Sequence, residues 1–159
     1  MPPQAPWIAV VGPGRASPEE LATAEEVGAE VAAAGAVVVC GGLGGVMEAA
    51  CRGARSRNGL TVGLLPGLDR GDANGWVEVA LPTGLGEARN ALVVRAADAI
   101  VAVGGAWGTL SEIALGLRAG RPVIGLGTWE LRQGGKAVEG IRAMDRPSEA
   151  VAEALARLS

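Results

Sequence analysis

The sequence predicts an α/β domain in which helices cover both faces of a mostly parallel sheet. Three observations support this fold class. Continuous apolar runs recur, as at 7–11, 36–40 and 99–103, and such runs are typical of strands buried on both faces of a parallel sheet. The runs end at glycine-rich turns, and the segments between them carry helix start or stop signals. The length of 159 residues fits one domain over 1–159.

The first half of the chain begins with a predicted strand at 7–11, which the turn Gly12-Pro13-Gly14 ends. Ser17-Pro18-Glu19-Glu20 fits a capping box with proline at the first helical position, so a helix is predicted from Ser17 to about Ala34. Gly35 is its expected stop. The other elements predicted in this half are a strand at 36–40, a helix at 46–55, and strands at 60–65 and 76–81.

The second half continues the alternation of helices and strands. Its predicted elements are a helix at 86–97, a strand at 99–103, a helix at 109–118, a strand at 121–126, a short strand at 141–143 and a helix at 147–158. Residues 128–140 carry no clear pattern. Parallel strands joined by helices require right-handed crossovers, so we expect a Rossmann-like three-layer sandwich.

Composition and charge argue against several classes of function. The net charge of −3 argues against nucleic acid or an anionic membrane as the partner. The chain has no histidine, so no Ser-His-Asp or Cys-His mechanism fits within one chain. Cys40 and Cys51 are the only cysteines, so neither a zinc site nor another metal site is predicted.

The cysteines and the apolar segments also bear on the compartment. Cys40 ends an apolar run and Cys51 lies in a predicted helix, so both are predicted to be buried structural thiols. Free thiols suit a reducing compartment, and we expect the cytoplasm. No signal peptide is visible at 1–6, and glycines interrupt the longest uncharged stretch, 31–47, so no membrane segment is predicted.

Glycine-rich turns follow three of the predicted strands and suggest where a ligand binds. In open parallel sheets, ligands bind outside the carboxyl ends of the strands. Glycine lets the backbone approach a ligand, and the following helix directs free N–H groups and its dipole at it. A phosphate-bearing small molecule is therefore the predicted ligand. The predicted ligand-binding glycines are Gly12, Gly14, Gly41, Gly42, Gly44, Gly45, Gly104, Gly105 and Gly108.

Two standard nucleotide motifs do not fit these turns. Ser17 stands where a dinucleotide fingerprint has its third glycine, and the second strand ends at Cys40 with no acid for a ribose hydroxyl. The chain has no Gly-Lys-Ser/Thr sequence, so a P-loop is excluded as well.

Glu112 is the sharpest candidate for a functional side chain, because it lies one turn into the helix after the third glycine-rich turn. Thr109-Leu110-Ser111-Glu112 also fits a capping box, in which Glu112 would only bond back to the backbone. Arg89 is either a functional residue or a solvated helix arginine, and Asn90 could add a neutral donor and acceptor. Glu48 is either helix surface or a ligand contact.

Residues 98–112, Asp-Ala-Ile-Val-Ala-Val-Gly-Gly-Ala-Trp-Gly-Thr-Leu-Ser-Glu, resemble the Gly-Gly-x-Gly-Thr-x-x-Glu signature of the LONELY GUY (LOG) family. Members of that family were long labelled possible lysine decarboxylases. Residues 41–48 resemble the family's Gly-Gly-x-x-Gly-x-Met turn, which adds Met47 to the predicted ligand-binding residues. Arg89 falls where the family has a functional arginine. The resemblance covers roughly 7–126.

This resemblance implies a Rossmann-like fold, a homodimer or higher homo-oligomer, and a phosphoribohydrolase that releases the base of a nucleoside 5′-monophosphate. Glu112 and Arg89 would be the catalytic pair. A carboxylate can stabilise the oxocarbenium-like transition state or activate water, whereas Arg89 stays protonated and would orient Glu112 or hold substrate. The residues implied for the 5′-phosphate are Gly104, Gly105, Gly108 and Thr109. Lysine decarboxylation is not expected, because the only lysine, Lys136, lacks a motif for a Schiff base, and no cofactor is predicted.

The sequence departs from the LOG pattern at three positions. Val103 replaces the usual proline, Asn90 replaces a lysine after the arginine, and Trp107 occupies a position that is often smaller or differently aromatic. Together with the short chain, these features resemble a subgroup similar to the molybdenum-cofactor carrier proteins, which bind a pterin phosphate without known turnover. Two functions therefore stay open: a phosphoribohydrolase, and a non-catalytic carrier or sensor of a nucleotide- or pterin-type phosphate.

Overall fold

A computed structural model describes residues 4–159 as a parallel sheet with helices on both faces. The elements of its first half are β1 (Trp7–Val11), α1 (Pro18–Ala33), β2 (Val37–Cys40), α2 (Val46–Ser56), β3 (Thr61–Leu65) and β4 (Val79–Pro82). The elements of its second half are α3 (Arg89–Ala96), β5 (Ala99–Val103), α4 (Trp107–Arg118), β6 (Val123–Leu126), β7 (Arg132–Gln133), β8 (Lys136–Ala137), β9 (Ile141–Ala143) and α5 (Pro147–Ala156).

The main sheet has seven strands in the order β4-β3-β2-β1-β5-β6-β9, and every pairing in it is parallel. The predicted Rossmann-like fold class is confirmed. β1 lies at the centre between β2 and β5, with Val10 opposite Val101 in the β1–β5 register. Because the chain order reverses at β1, a crevice forms outside the carboxyl ends of β1 and β5.

Successive residues of the central strand belong to opposite cores. Ile8 and Val10 pack with α1, α2 and α5, whereas Ala9 and Val11 pack with α3 and α4. This alternation follows from the two-residue period of a strand, and it explains why β1 is apolar throughout. The sheet is therefore the middle layer of three, as predicted.

Apart from shifts of one or two residues at element ends, three segments differ from the prediction. The helix predicted at 86–97 begins with a separate 3-10 turn, Gly86–Ala88, before α3, because Gly84 and Gly86 adopt φ of 67° and 57°. The strand predicted at 76–81 is β4, which starts later at Val79. The segment without a clear pattern, 128–140, contains the antiparallel β7–β8 hairpin, whose Gly134-Gly135 turn has φ of 57° and 79°, as such tight turns require.

The two cysteines are buried and free, as predicted, and their Sγ atoms lie 3.5 Å apart. That distance is a thiol hydrogen bond and not a disulfide. The hydrogen bond with Cys40, together with burial, raises the pKa of the Cys51 thiol. Among residues 4–159, none of the helices has both the length and the apolar character needed to cross a bilayer.

Candidate functional site

A cleft of about 880 Å³ lies outside the carboxyl ends of β2, β3 and β5. Loops that follow these strands and the facing sides of α3 and α4 form its walls. Its lining residues are Leu43, Pro66, Gly86, Glu87, Ala88, Arg89, Asn90, Ala91, Trp107, Gly108, Ser111 and Leu115. Three predicted site residues, Arg89, Asn90 and Gly108, therefore lie together in one cleft.

The N-terminus of α4 is uncapped. Its N-cap residue, Ala106, has extended backbone (φ −127°, ψ 176°) and no capping side chain, and the first turn contains no acid. The Leu110 amide makes the first helical hydrogen bond, to the Ala106 carbonyl oxygen (3.0 Å). The amides at the first three helical positions, Trp107 to Thr109, have no acceptor within the helix. A helix end of this kind attracts an anion.

The capping-box interpretation of Thr109 and Glu112 is wrong. Because α4 begins at Trp107, Thr109 is its third residue and not its cap. The Thr109 side chain is 2% exposed, and within residues 4–159 its Oγ1 finds no hydrogen-bond partner. A buried hydroxyl without a partner is costly, so Thr109 presents an unused donor and acceptor in the first turn of α4.

Arg89 is the first residue of α3 and is 8% exposed, so the interpretation as a solvated helix arginine is wrong. Its Nη2 donates to the Gly41 carbonyl oxygen (3.4 Å), and its Nη1 donates to Asn90 Oδ1. Its buried Nε has no partner in the described part of the chain. Burial of a guanidinium requires compensating partners, and an anion in the cleft would supply one.

Asn90 joins α3 to the start of α4. Its Nδ2 donates to Ser111 Oγ (3.3 Å), and Ser111 Oγ donates to the Gly108 carbonyl oxygen (2.7 Å). Ser111 was not among the predicted site residues, because a serine near the start of a helix carries no distinctive signal. These two bonds fix the cleft wall next to the free amides of α4.

Glu112 lies in the second turn of α4 and is 7% exposed. Burial raises the pKa of its carboxyl to about 7, and the positive charge of Arg89 opposes this rise. The Glu112 carboxyl is therefore divided between its protonated and ionised forms near neutral pH. Such a group can exchange a proton at physiological pH, and its protonated form does not repel a neighbouring phosphate.

The turn between β2 and α2 is packed against the protein itself. A Cβ at Gly41 would lie 2.7 Å from Arg89 Nη2 and 2.8 Å from Met47 Sδ. Gly42 lies against the Leu65 side chain, and its carbonyl oxygen accepts from the Asn74 amide (2.9 Å). These contacts account for glycine at both positions by close packing.

Gly45 caps α2 with φ of 68°. A Cβ at this position would overlap the carbonyl oxygens of Pro13 and Gly14. The Val46 amide donates to the Pro13 carbonyl oxygen (3.1 Å), which joins this turn to the turn after β1. Glu48 is half-buried in the first turn of α2, where a carboxylate complements the helix dipole.

The remaining predicted glycines lie around the same crevice without lining the cleft. Gly12 lies against the Val103 carbonyl oxygen and Val46, whereas Gly14 has open space around it. Gly104 has φ of 63° and packs against the Glu20 side chain. Gly44 has no packing contact closer than 4.0 Å. Their assignment as ligand contacts stays a prediction.

Trp107 lines the cleft and was not among the predicted site residues. It is 78% exposed, and its ring centroid lies 5.4 Å from that of Trp129. The available signal was a tryptophan inside a glycine-rich turn of a chain with four aromatic residues. Lys136, by contrast, lies exposed in β8, outside the cleft.

The fold and this site define a Rossmann-like α/β protein with an uncapped helix N-terminus at its strand-end crevice. The chain belongs to the SLOG cluster4 family, whose family model matches residues 5–152. Membership of the LOG family itself stays a prediction. An uncharacterized protein of Archaeoglobus fulgidus is 40% identical over 144 residues, which cover 91% of each chain.

Solved structures of molybdenum cofactor proteins are similar over their whole length. The molybdenum cofactor binding protein of Rippkaea orientalis is 33% identical, with a TM-score of 0.89 over 98% of this chain and 99% of that chain. The molybdenum cofactor carrier protein of Chlamydomonas reinhardtii is also 33% identical, with a TM-score of 0.85 and 98% coverage of both chains. The predicted similarity to this subgroup is confirmed.

One further structure shares the fold alone. DNA processing protein A of Streptococcus pneumoniae is 17% identical, with a TM-score of 0.72 over 94% of this chain and 62% of that chain. Its name therefore carries no information about the ligand of this chain. In the described residues, no group of three or more His, Cys, Asp or Glu side chains is arranged to hold a metal ion.

Proposed function

We propose that this protein binds and carries a pterin-type phosphate, with the molybdenum cofactor as the candidate cargo. The observation that carries the proposal is the N-terminus of α4, where free amides and the unpartnered, buried Thr109 Oγ1 lie without a cap. Both features are stabilised when an anion with several acceptor oxygens binds there. Two molybdenum cofactor proteins similar over 98% of this chain support the choice of cargo.

The cleft suits a ligand that is larger than phosphate. Its volume of about 880 Å³ lies within the range of small-molecule sites, about 300–1,000 Å³. Arg89 supplies a positive charge, and Asn90 supplies neutral hydrogen-bonding groups at the same wall. Glu112, with a pKa of about 7, adds little repulsion when it is protonated. A phosphate at α4 would leave the rest of the cleft for an organic ring system.

The predicted site residues divide into two proposed roles. Gly104, Gly105, Gly108 and Thr109 hold the phosphate, with Arg89 and Asn90 beside it. The turn residues Gly12, Gly14, Gly41, Gly42, Gly44, Gly45 and Met47 shape the crevice and position Arg89 through the Gly41 carbonyl oxygen. This division keeps the residues that the resemblance implied for the 5′-phosphate and gives the other turn residues a positioning role.

Loading with cargo tests this proposal. Purified protein is incubated anaerobically with molybdenum cofactor and passed over a gel-filtration column, and pterin fluorescence and molybdenum content are measured in the protein fraction. We expect stoichiometric co-elution with the wild type and a large loss in Thr109→Val. Thr128→Val is the matched control, because Thr128 Oγ1 is likewise buried without a partner in residues 4–159 but follows β6 and is not in the first turn of α4. Absence of co-elution with the wild type would refute the proposed cargo.

A second candidate function is the phosphoribohydrolase, which one observation favours. The Glu112 carboxyl has a pKa of about 7 and lies within the influence of the Arg89 charge, and general acid–base groups work best with a pKa near the ambient pH. In this function Glu112 activates water or stabilises the transition state, and Arg89 holds the substrate. Incubation with AMP, followed by chromatography for adenine and ribose 5-phosphate, tests it. Base release that Glu112→Gln abolishes would favour the enzyme over the carrier.

Exposed apolar side chains and two free thiols bear on the oligomeric state and the compartment of the protein. We propose a homodimer or higher homo-oligomer, supported by exposed apolar side chains such as Leu85 (52%) and Leu92 (39%). Light scattering at micromolar concentration should give at least twice the mass of one chain, and Leu92→Glu should lower it if α3 forms the contact. The two free thiols fit the reducing cytoplasm, and we propose no nucleic acid or membrane as a partner.

A further inference from the structure

Half of the aromatic residues of this protein form one pair beside the proposed phosphate site. The chain has four tryptophans and neither phenylalanine nor tyrosine. The rings of Trp107 and Trp129 meet with their centroids 5.4 Å apart and their planes inclined by 32°. We name Trp107 and Trp129 the tryptophan pair. Their contact falls within the range of favourable aromatic geometry.

Trp107 is exposed in a way that folding alone does not explain. It is 78% exposed, more than any other tryptophan among the described residues. A tryptophan side chain gains much of its stabilising effect from burial, and Trp107 forgoes this gain. It is also the first residue of α4, adjacent to the free amides of Gly108 and Thr109. An exposed indole at this point is available to a ligand.

Trp129 holds the exposed indole in place. It is half-buried, and its Nε1 donates to the Ala106 carbonyl oxygen (3.3 Å) at the start of α4. The absence of a side chain at Gly105 lets it approach this closely, because a Cβ there would lie 2.9 Å from Trp129 Nε1. Trp129, in the loop after β6, is therefore a positioning residue that packs against the turn after β5.

We propose that Trp107 is a stacking platform for the planar heteroaromatic ring of the ligand and that it selects ring-bearing phosphates over phosphates without a ring. Trp107 lines the cleft together with Arg89, Asn90 and Gly108, so one molecule can reach both the indole and the helix end. Pterins and purines present a flat π-face suited to an aromatic side chain. The inference rests on the proposed phosphate site at α4 and names the ligand class of that site.

Two phosphate probes, one with a heteroaromatic base and one without, test the proposal. Binding of GMP and of ribose 5-phosphate is measured by calorimetry on the wild type, Trp107→Ala and Trp107→Phe. Guanine resembles a pterin in its fused amino-pyrimidinone ring. Aromatic stacking of one base corresponds to roughly a tenfold gain in affinity, so the wild type should bind GMP about tenfold more tightly than ribose 5-phosphate. Trp107→Ala should remove this preference and leave ribose 5-phosphate binding unchanged, whereas Trp107→Phe should retain most of it.

Controls and fluorescence separate the possible outcomes. Trp76→Ala is the matched control, because Trp76 is 42% exposed and does not line the cleft. GMP should quench the intrinsic fluorescence of the wild type and of Trp76→Ala, and this quenching should be lost in Trp107→Ala. A GMP preference that survives in Trp107→Ala would overturn the stacking proposal while leaving the phosphate site intact. Failure of the wild type to bind either probe would overturn the phosphate site and, with it, this inference.

Discussion

The turns that open α2 and α4 are similar in sequence but differ in what their backbones contact. At α2, Gly45 is a left-handed N-cap pressed against the turn after β1, and Glu48 places a carboxylate in the first turn. At α4, Ala106 is an N-cap with no capping side chain, the first turn has no acid, and Thr109 Oγ1 lacks a partner in the described residues. Neither helix has a side-chain cap, but at α2 the Val46 amide donates to the Pro13 carbonyl oxygen and Glu48 supplies a charge. Within the described residues, the start of α4 has neither of these.

Glycine therefore has two structural roles in the same crevice. In the α2 turn it permits close approach, since side chains at Gly41 and Gly45 would overlap neighbouring groups. Gly104 and Gly105 before α4 are likewise close to Glu20 and Trp129, but Gly108 in the first turn of α4 leaves room, since a Cβ there would meet no atom within 4 Å. We infer that the α2 turn builds the site and that the α4 turn contacts the ligand.

Alanine substitutions at Gly45 and Gly108 should have very different effects on stability. A side chain at Gly45 meets a left-handed backbone and overlaps the Pro13 and Gly14 carbonyl oxygens, so Gly45→Ala should lower the free energy of unfolding by about 3 kcal/mol or more. Gly108→Ala adds a methyl group in open space within a helix, and its effect should be about 1 kcal/mol or less. Urea unfolding measures both, and equal losses would contradict the inference.

Glu112→Gln should stabilise the protein at high pH and leave its stability unchanged at low pH. Burial raises the pKa of Glu112 from 4.5 to about 7, so the folded protein binds more protons than the unfolded chain between these values. Stability therefore falls as the pH rises through this window. Above about pH 7, the ionised and buried Glu112 lowers the free energy of unfolding of the wild type by about 3 kcal/mol, at 1.36 kcal/mol for each pKa unit. Unfolding at pH 4 and pH 8 tests this; a variant no more stable at pH 8 would disprove it.

Arg89→Met should weaken the binding of ribose 5-phosphate between about tenfold and a hundredfold, because hydrogen bonds to a charged group contribute roughly 1.5–3 kcal/mol. The affinity should also lose much of its dependence on salt concentration. Arg52→Met is the control, since Arg52 of α2 forms an ion pair with Glu25 of α1 (2.9 Å) and lies outside the cleft. Calorimetry at two salt concentrations makes the comparison. Equal weakening in both variants would argue against a direct role for Arg89.

Ala106→Asp should change stability little and phosphate binding strongly. Ala106 has the extended backbone that suits a capping aspartate, so the free energy of unfolding should rise by about 1 kcal/mol. The new carboxylate would bond the free amides of α4 and repel phosphate, so ribose 5-phosphate should no longer raise Tm. A more stable variant that still binds phosphate would show that the ligand lies elsewhere.

The sequence predicted the sheet well because its strands are buried on both faces. Both faces of β1 and β5 are covered, so all their residues are apolar. Such a run can be recognised as a strand without knowing which helices pack against it. The start of α4 was misjudged because Thr109 and Glu112 have the spacing of a capping box, whereas Ala106 carries no helix-start signal. Which residue caps a helix is decided by the backbone of the preceding turn, and that turn depends on tertiary packing.

The site was predicted only where its chemistry is carried by residue type and spacing. The glycine-rich turn was sufficient to name Glu112 and Gly108 as candidates, but neither the burial of Arg89 nor the exposure of Trp107 follows from local sequence. Arg89 is buried because Gly41, the residue after β2, has no side chain and leaves space for the guanidinium. Such a contact joins residues 48 positions apart, and no local pattern encodes it.

The central position of β1 has a consequence for how the protein is made. Trp7 and Asp98 exchange two hydrogen bonds (2.9 Å and 2.8 Å) across 91 positions of the chain. During synthesis, β1 and β2 can pair early, but one edge of β1 stays open until β5 leaves the ribosome. Closing so long a loop slows folding, and an unpaired parallel edge invites association with other chains. The crevice between β1 and β5 therefore cannot form until the chain has been synthesised at least as far as β5.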